Sequence, residues 1–454
     1  MVSFYKPGKK RQPATSRPAS RRRTDTPRRS PGTPVSVDSW DWQGQGVVRE
    51  YPVLFVAGAL PGERCSVAGY REQKQVAYGK VKDVITPAAE RQTPFCPLAD
   101  QCGGCQLQHV SADEALTWRQ EALDTLWQKQ FSVTQIPWQP AVTGPRPAYR
   151  RKARLAVDAR DPHNIRIGYR QANGHDVVDV PSCPVLTPTL NALLPSLREA
   201  LCSYPGVRHV GHIALMQGDN CARVTIKVTR TMGTEWLSAL TVWGRENQVN
   251  VVLEDKDGGL NALHDQGALI CETEAGLSVS PGPNDFIQVN AEVNRKMVAQ
   301  AMQWLNPAGG EHIADWFSGL GNFSLSLAQR GARVQAVEGV PDMVHQAAEN
   351  AQRQGITGID WQHHDLQQSA VVRNLVSDGL DKVLLDPSRE GAATVCEVLA
   401  DSDVKQILYI SCNPSTFTRD AKTLLAGNYQ LEKVGVLEMF PYTKHLEVMA
   451  LFTR

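Results

Sequence analysis

The sequence predicts an α/β protein: a doubly wound parallel sheet at the C-terminus, a small β-barrel near the N-terminus, and an α+β region between them. Three observations predict it. From about residue 281, helical segments alternate with short apolar runs, the pattern of βαβ units. Residues 35–86 hold several short strand patterns separated by turn residues. Between these regions strands and helices mix without regular alternation. The 454 residues suffice for about three domains. A composition 42% hydrophobic and 21% charged supports packed cores and excludes wholesale disorder.

The first element is a basic tail. Residues 1–34 hold ten of the 48 Lys and Arg and one of the 47 Asp and Glu, so the tail carries +9 and the remainder −8. Rich in Pro, Ser and Arg, it is expected to be disordered. It suits an arm that displaces counterions from nucleic acid, a solubilising extension, or a transit peptide. It lacks an apolar stretch, so no secretory leader is expected. No run of about 18 apolar residues marks a membrane span. A soluble cytoplasmic monomer is expected.

Residues 35–86 read as a Greek-key barrel of the OB type, which often binds oligonucleotides on one face. Residues 87–280 follow as the mixed region. A helical pattern lies within 107–130, with Leu116, Leu123 and Leu126 at helical spacing. Strand patterns run over 165–169, 207–216 and 224–229, suggesting antiparallel pairing. Arg146, Arg150, Arg151, Lys152 and Arg154 surround Tyr149, a pairing of cations with a ring that suits RNA.

Cys96, Cys102 and Cys105 form C-x5-C-x2-C, and Cys183 follows in the sequence Ser-Cys-Pro. Gly103 and Gly104 permit a tight turn. Four soft thiolates favour zinc or an iron–sulfur cluster. The long first spacing and the distant cysteine before Pro favour [4Fe–4S] over zinc. Buried free thiols packing as small hydrophobes are the plain alternative. Ten cysteines at uneven spacing do not form a disulfide framework.

Residues 281–454 carry the chemistry. Strand patterns fall at 311–315, 333–338, 358–362, 382–386, 406–411, 431–437 and 448–452. The segment DWFSGLGNFS (315–324) joins the first strand to a helix, and its glycines let backbone approach a ligand. The next strand ends in Glu338, where an acid can accept both ribose hydroxyls. A dinucleotide fingerprint would need a third glycine where Ser324 stands. Asp315 would repel a pyrophosphate but attract the cationic ends of S-adenosylmethionine, so a methyl donor is expected rather than NAD. Asp365 could face the adenine.

Two further strand ends are reactive. One leads into Asp386-Pro-Ser-Arg389, the other into Ser411-Cys412-Asn413-Pro414. Ligands of open α/β sheets sit at the carboxyl ends of strands, so Cys412 is a candidate nucleophile there. Glu447, in His445-Leu-Glu447, offers a general base. A thiol nucleophile, a carboxylate base and a methyl donor together suit carbon methylation of a pyrimidine, because thiolate addition to C6 activates C5.

These motifs, with Phe286-Ile-Gln288-Val-Asn290, resemble those of the uracil-C5 RNA methyltransferases. The resemblance covers the C-terminal region in its motifs. The four cysteines and the barrel, which resembles a TRAM domain, extend it toward the iron–sulfur branch acting on 23S rRNA. It implies an S-adenosylmethionine-dependent enzyme with Cys412 as nucleophile and Glu447 as base. It implies cofactor contacts from Gln288, Phe317, Asn322, Glu338, Asp365 and Asp386, and a [4Fe–4S] cluster on Cys96, Cys102, Cys105 and Cys183. Ser388 departs from the second proline usual in the family, and the basic tail is atypical. The alternatives are a tRNA substrate for the same chemistry and a non-catalytic iron–sulfur RNA-binding protein.

Overall fold

The structure is a computed structural model, and it describes residues 33–172 and 174–454. The expected basic tail therefore lies outside the described residues, apart from residues 33 and 34.

Short alternating segments build the N-terminal sheet. Its strands are β1 (Val35–Ser36), β2 (Ser39–Trp40), β3 (Gln45–Val48), β4 (Val53–Ala57), β5 (Arg64–Gln73) and β6 (Val76–Thr86). They lie in the order β1-β5-β6-β4-β3-β2, antiparallel except for β4 against β6. Val48, Leu54, Val56 and Cys65 fill its core.

Helix α1 (Ala112–Phe131) starts where Ser111 accepts a hydrogen bond from the Glu114 N–H at 3.1 Å. Its apolar face does not serve the central region. Leu123 and Trp127, both fully buried, pack with Phe417 of the C-terminal region, and Trp127 Nε1 donates to Thr418 Oγ1 at 2.8 Å. The chain then bridges Trp138 to Val434 and Val142 to Leu437, covering the edge of the C-terminal sheet.

The central sheet comprises β7 (Lys152–Asp158), β8 (Arg166–Arg170), β9 (Val177–Asp179), β10 (Val210–Gln217), β11 (Ala222–Val228), β12 (Val249–Glu254) and β13 (Leu260–His264). Helices α2 (Pro188–Cys202) and α3 (Thr234–Glu246) accompany it. Its order is β13-β12-β11-β10-β7-β8-β9. The expected antiparallel pairing holds except between β11 and β12, which run parallel because α3 carries the chain back between them. The hairpin β14 (Cys271–Glu274) and β15 (Leu277–Val279) follows.

The C-terminal region runs α4 (Ala291–Leu305), β16 (His312–Trp316), α5 (Ser324–Gln329), β17 (Arg333–Glu338), α6 (Pro341–Arg353), β18 (Ile359–His363), α7 (Ser369–Ser377), β19 (Lys382–Leu385), α8 (Ala393–Ala400), β20 (Gln406–Ser411), α9 (Pro414–Ala426), β21 (Gln430–Leu437) and β22 (Glu447–Thr453). The sheet order is β18-β17-β16-β19-β20-β22-β21. Strand order reverses between β16 and β19, which opens a crevice at their carboxyl ends.

One expectation needs correcting. The sheet is not wholly parallel, since β22 runs antiparallel to both β20 and β21. Only residues 438–446 separate β21 from β22, too few for the dozen or so residues of a crossover helix. Among the described residues, no helix is long and apolar enough to cross a membrane.

Candidate active site

The loop after β16 forms the first wall of the site. Phe317 has φ +65°, Gly319 +56° and Gly321 +91°, so the chain turns sharply through the left-handed region. The N–H groups of Phe317 and Ser318 both donate to Val337 O, at 2.8 and 3.1 Å, locking the turn to β17. A Cβ at position 321 would stand 2.9 Å from the Trp361 ring, so this glycine is also a close-packing requirement. Glu338, ending β17, accepts from Gly319 N at 3.1 Å and Val340 N at 3.0 Å.

The loop opens onto a cleft of about 420 Å³, within the range of small-molecule sites. Gln288, Phe317, Asn322, Glu338, Asp386, Cys412 and Glu447 all line it. Asp365 does not; it lies exposed just past β18. Its carboxylate accepts from Gln367 N and the Gln368 side chain. The preceding residue, His364, donates its N–H to Glu338 O at 3.2 Å, which keeps Asp365 near the cleft's outer rim.

Asp315 differs from its expected role. It is fully buried beneath the loop, does not line the cleft, and accepts from Ser324 Oγ at 2.5 Å. Burial pushes its carboxyl up to about 7. Ser324, where a dinucleotide site would have glycine, is thus the partner that holds Asp315.

The reactive groups come from three neighbouring strand ends. Asp386 follows β19, Cys412 follows β20, and Glu447 begins β22. Ser411 pairs with Val448 across the antiparallel ladder, so Cys412 and Glu447 continue that register at the same edge. Reversal of β22 is what delivers its first residue to the carboxyl ends of the others. Burial, reinforced by the charges of Glu447 and Asp386 and opposed by Arg389, pushes the Cys412 thiol up to about 11. Burial and then Asp386 push Glu447 up to about 8. Burial and then Asp315 push Asp386 up to about 7. Three acidic groups thus share a partly dehydrated pocket that disfavours their negative forms.

Helix α9 holds the Asp386 loop in place. Asn413 Nδ2 and Thr416 Oγ1 donate to Arg389 O at 3.0 and 3.2 Å, and Asp420 accepts from Ala392 N at 2.7 Å. Arg389 stands 3.4 Å from His445 Nε2. Burial and then Arg389 lower His445 to about 4, so its ring is neutral near pH 7.

One cleft residue, Asn294, was not singled out from sequence; it exchanges two amide hydrogen bonds with Asn322, at 2.9 and 3.0 Å. Its position four residues after Asn290 on α4 was the available signal. Arg151 is buried, donates Nε to Gln288 O at 2.8 Å, and has no partner for Nη1. Gln288 Oε1 likewise has no partner. These two atoms are free to meet a ligand.

The basic run around Tyr149 is not the RNA-facing stripe that its charges suggested. Arg146 pairs with Glu438 and Asp113, Arg151 bonds the Gln288 carbonyl, and Lys152 bonds the Asp285 carbonyl. Only Arg154 is exposed. Arg146, Arg151 and Lys152 thereby tie the central region to the C-terminal region.

The structure brings Cys96, Cys102, Cys105 and Cys183 onto one cavity, together with Arg150 and Tyr169. All four are free thiols, and among the described residues no group of three or more His, Cys, Asp or Glu is arranged to hold a metal ion. The donor set still fits a thiolate-held group in its chemistry: four soft sulfurs, with no carboxylate among the cavity's lining residues. Two buried polar atoms on the same wall, Tyr169 Oη and Arg150 Nε, lack partners.

Comparison with known proteins adds to this geometry. Residues 280–454 match the family model described as tRNA (Uracil-5-)-methyltransferase. The chain is 50% identical over 420 residues to a 23S rRNA (uracil(1939)-C(5))-methyltransferase RlmD of Alteromonas naphthalenivorans, covering 92% of this chain and 89% of that one. It is 38% identical over 455 residues to the protein of the same name from Pectobacterium atrosepticum, covering 100% and 98%. Among solved structures, the tRNA (uracil-54, C5)-methyltransferase of Pyrococcus abyssi in complex with S-adenosyl-L-homocysteine shares the fold. Its TM-score is 0.72 at 20% identity, over 92% of this chain and 99% of that one.

Proposed function

The chain belongs to the family of RlmD 23S rRNA uracil-C5 methyltransferases, and on that premise we propose that Cys412 and Glu447 methylate carbon 5 of a uridine in 23S rRNA. The target is uridine 1939 in the numbering that names its relatives. What carries this proposal is the placement of Cys412 and Glu447 at adjacent strand ends of one cleft that also contains the glycine loop.

S-adenosylmethionine supplies, when bound, an electrophilic methyl on a sulfonium. The Cys412 thiol loses its proton to solvent, and its sulfur then bonds C6 of the uracil. The C5–C6 π electrons move toward O4, giving an enolate with electron density at C5. C5 bonds the methyl as the S–CH₃ bond breaks, leaving S-adenosylhomocysteine. Glu447 then removes the C5 proton. That electron pair restores the C5–C6 double bond and expels the Cys412 thiolate. A cationic methyl donor held in this cleft would offset the acidic crowding around Cys412 and favour its thiolate.

Gln288, Phe317, Asn322, Glu338 and Asp386 hold the donor, with Glu338 on its ribose. Asp365, which does not line the cleft, would approach the adenine only from the outer rim. Flipping the target base out of its stack costs a few kcal/mol. The N-terminal sheet, as a TRAM-like barrel over 35–86, helps hold the flanking RNA. The near-parallel pair Phe55 and Tyr78, 5.6 Å apart beside a groove lined by Trp42 and Trp118, supports this role. The region 87–280 carries a [4Fe–4S] cluster on Cys96, Cys102, Cys105 and Cys183, supported by their shared cavity. Iron content and absorbance of anaerobically purified protein test the cluster.

RNA with 5-fluorouridine at the target tests the mechanism, because fluorine blocks the final proton removal. A donor-dependent covalent adduct at Cys412 is expected. An adduct that persists in Cys412→Ala overturns the mechanism, and preferential methylation of tRNA over 23S rRNA overturns the substrate.

A further inference from the structure

The loop between β21 and β22, residues 438–446, brings Phe440 and His445 into the cleft and ends at Glu447. Most of what grips it comes from another part of the chain. Gln106 N and Leu107 N both donate to Tyr442 O, at 2.9 and 3.0 Å. The Gln106 side chain accepts from Lys444 N at 3.2 Å, and its own amide donates to Gly103 O at 2.7 Å. Phe95 meets the Tyr442 ring edge-on at 4.9 Å. Farther along, Arg119 donates to Thr443 O and Lys444 O at 3.2 and 3.0 Å, and Tyr149 Oη donates to Pro441 O at 3.2 Å.

These contacts hold a conformation that the loop does not favour alone. Tyr442 has φ +65°, a left-handed conformation that a bulky residue holds only where its surroundings impose it. Its carbonyl is where the two backbone donors converge. Gly103 lies in the turn between Cys102 and Cys105, and Phe95 directly precedes Cys96. The thiol-bearing segment and the loop that leads to the base are therefore joined by two backbone bonds, by the Phe95 ring and by the Gln106 side chain, which alone bonds both the cysteine turn and Lys444.

We propose that residues 95–107 are a positioning brace for Glu447, with Gln106 transmitting the geometry of the cysteine turn to Lys444 and so to the base three residues on. The proposal rests on Glu447 removing the C5 proton. Gln106 touches no reacting atom; it acts through the loop. Displacing a catalytic group by about 1 Å can cost roughly 100-fold in rate. Loss of the brace should therefore slow proton removal and spare the steps before it.

The test compares Gln106→Ala, Phe95→Leu and Glu447→Gln in the full-length protein. Two rates are measured: turnover on ordinary target RNA, and adduct formation on RNA carrying 5-fluorouridine, which needs Cys412 and methyl transfer but no proton removal. Gln106→Ala should lower kcat about 10- to 100-fold. Its KM for the methyl donor and its adduct rate should stay within about twofold. Phe95→Leu, at an exposed position, should show the same split with a smaller loss. If adduct formation falls in step with turnover in both variants, or turnover is unchanged in both, the brace is overturned. If Glu447→Gln itself shows no split, the assignment of the base fails instead.

Discussion

Cys412 and the four cysteines at 96, 102, 105 and 183 place the same atom in two settings. Burial raises the thiols at 102, 105, 183 and 412, so low acidity does not separate the groups. Their neighbours do. Cys412 stands singly at a strand end, facing a ligand-sized cleft, with two carboxyl groups and Arg389 beside it. The other four face one another across a cavity, with Arg150 and Tyr169 on its wall. One thiol facing a cleft can add to a substrate and leave again, whereas four thiols lining one cavity match in chemistry the shared centre proposed for them.

The largest expected effect breaks this comparison most directly. Cys412→Ala should lower methyl transfer by about 10⁴-fold or more while iron content stays unchanged. Cys183→Ser should do the reverse, losing iron and melting at a lower temperature while keeping measurable turnover. Side-by-side assays of turnover and iron check both, and equal inactivation of the two variants would erase the distinction.

A smaller effect sharpens it. Because burial pushes the Cys412 thiol up to about 11, its alkylation should rise about tenfold per pH unit between pH 7 and 9. Donor binding should accelerate labelling at pH 7.5. Peptide-resolved mass spectrometry reads both, and a flat profile would mean that the acidic neighbours do not govern this thiol.

The smallest effect concerns stability. Glu447 has an ordinary value of 4.5 and a folded value of about 8. Below the first, it is protonated in both states. Between the two, the unfolded chain sheds its proton while the folded chain keeps it, so stability falls as pH rises and levels off above about 8. In donor-free protein, Glu447→Gln should flatten the pH dependence of Tm across pH 5–8. An unchanged slope would show that Glu447 already ionises at low pH.

Much of the site was legible because its strands are buried on both faces and read as apolar runs. Strands β17 and β20 fall at 333–338 and 406–411 as their patterns predict. The reactive residues then follow from one rule, that ligands gather at carboxyl strand ends. Asp315 escaped it because a strand-end acid can point into the crevice or beneath it, and a period of two does not say which. The basic run misled for a similar reason. A count of charges along a chain does not reveal whether each one faces solvent, a carbonyl or a carboxylate, and Arg146, Arg151 and Lys152 face the latter two.

By itself, the sequence determined the three regions' character, the glycine loop, the nucleophile and base as candidate types, and the grouping of four cysteines. These depend on local periodicity and on side-chain chemistry, both written residue by residue. Tertiary structure alone decided that β22 runs backwards and so sets Glu447 beside Cys412, that α1 leaves its neighbours to pack on α9, and that Gln106 grips the loop before the base. Each joins residues far apart in the chain, and a local pattern constrains which face is buried without naming the partner that buries it.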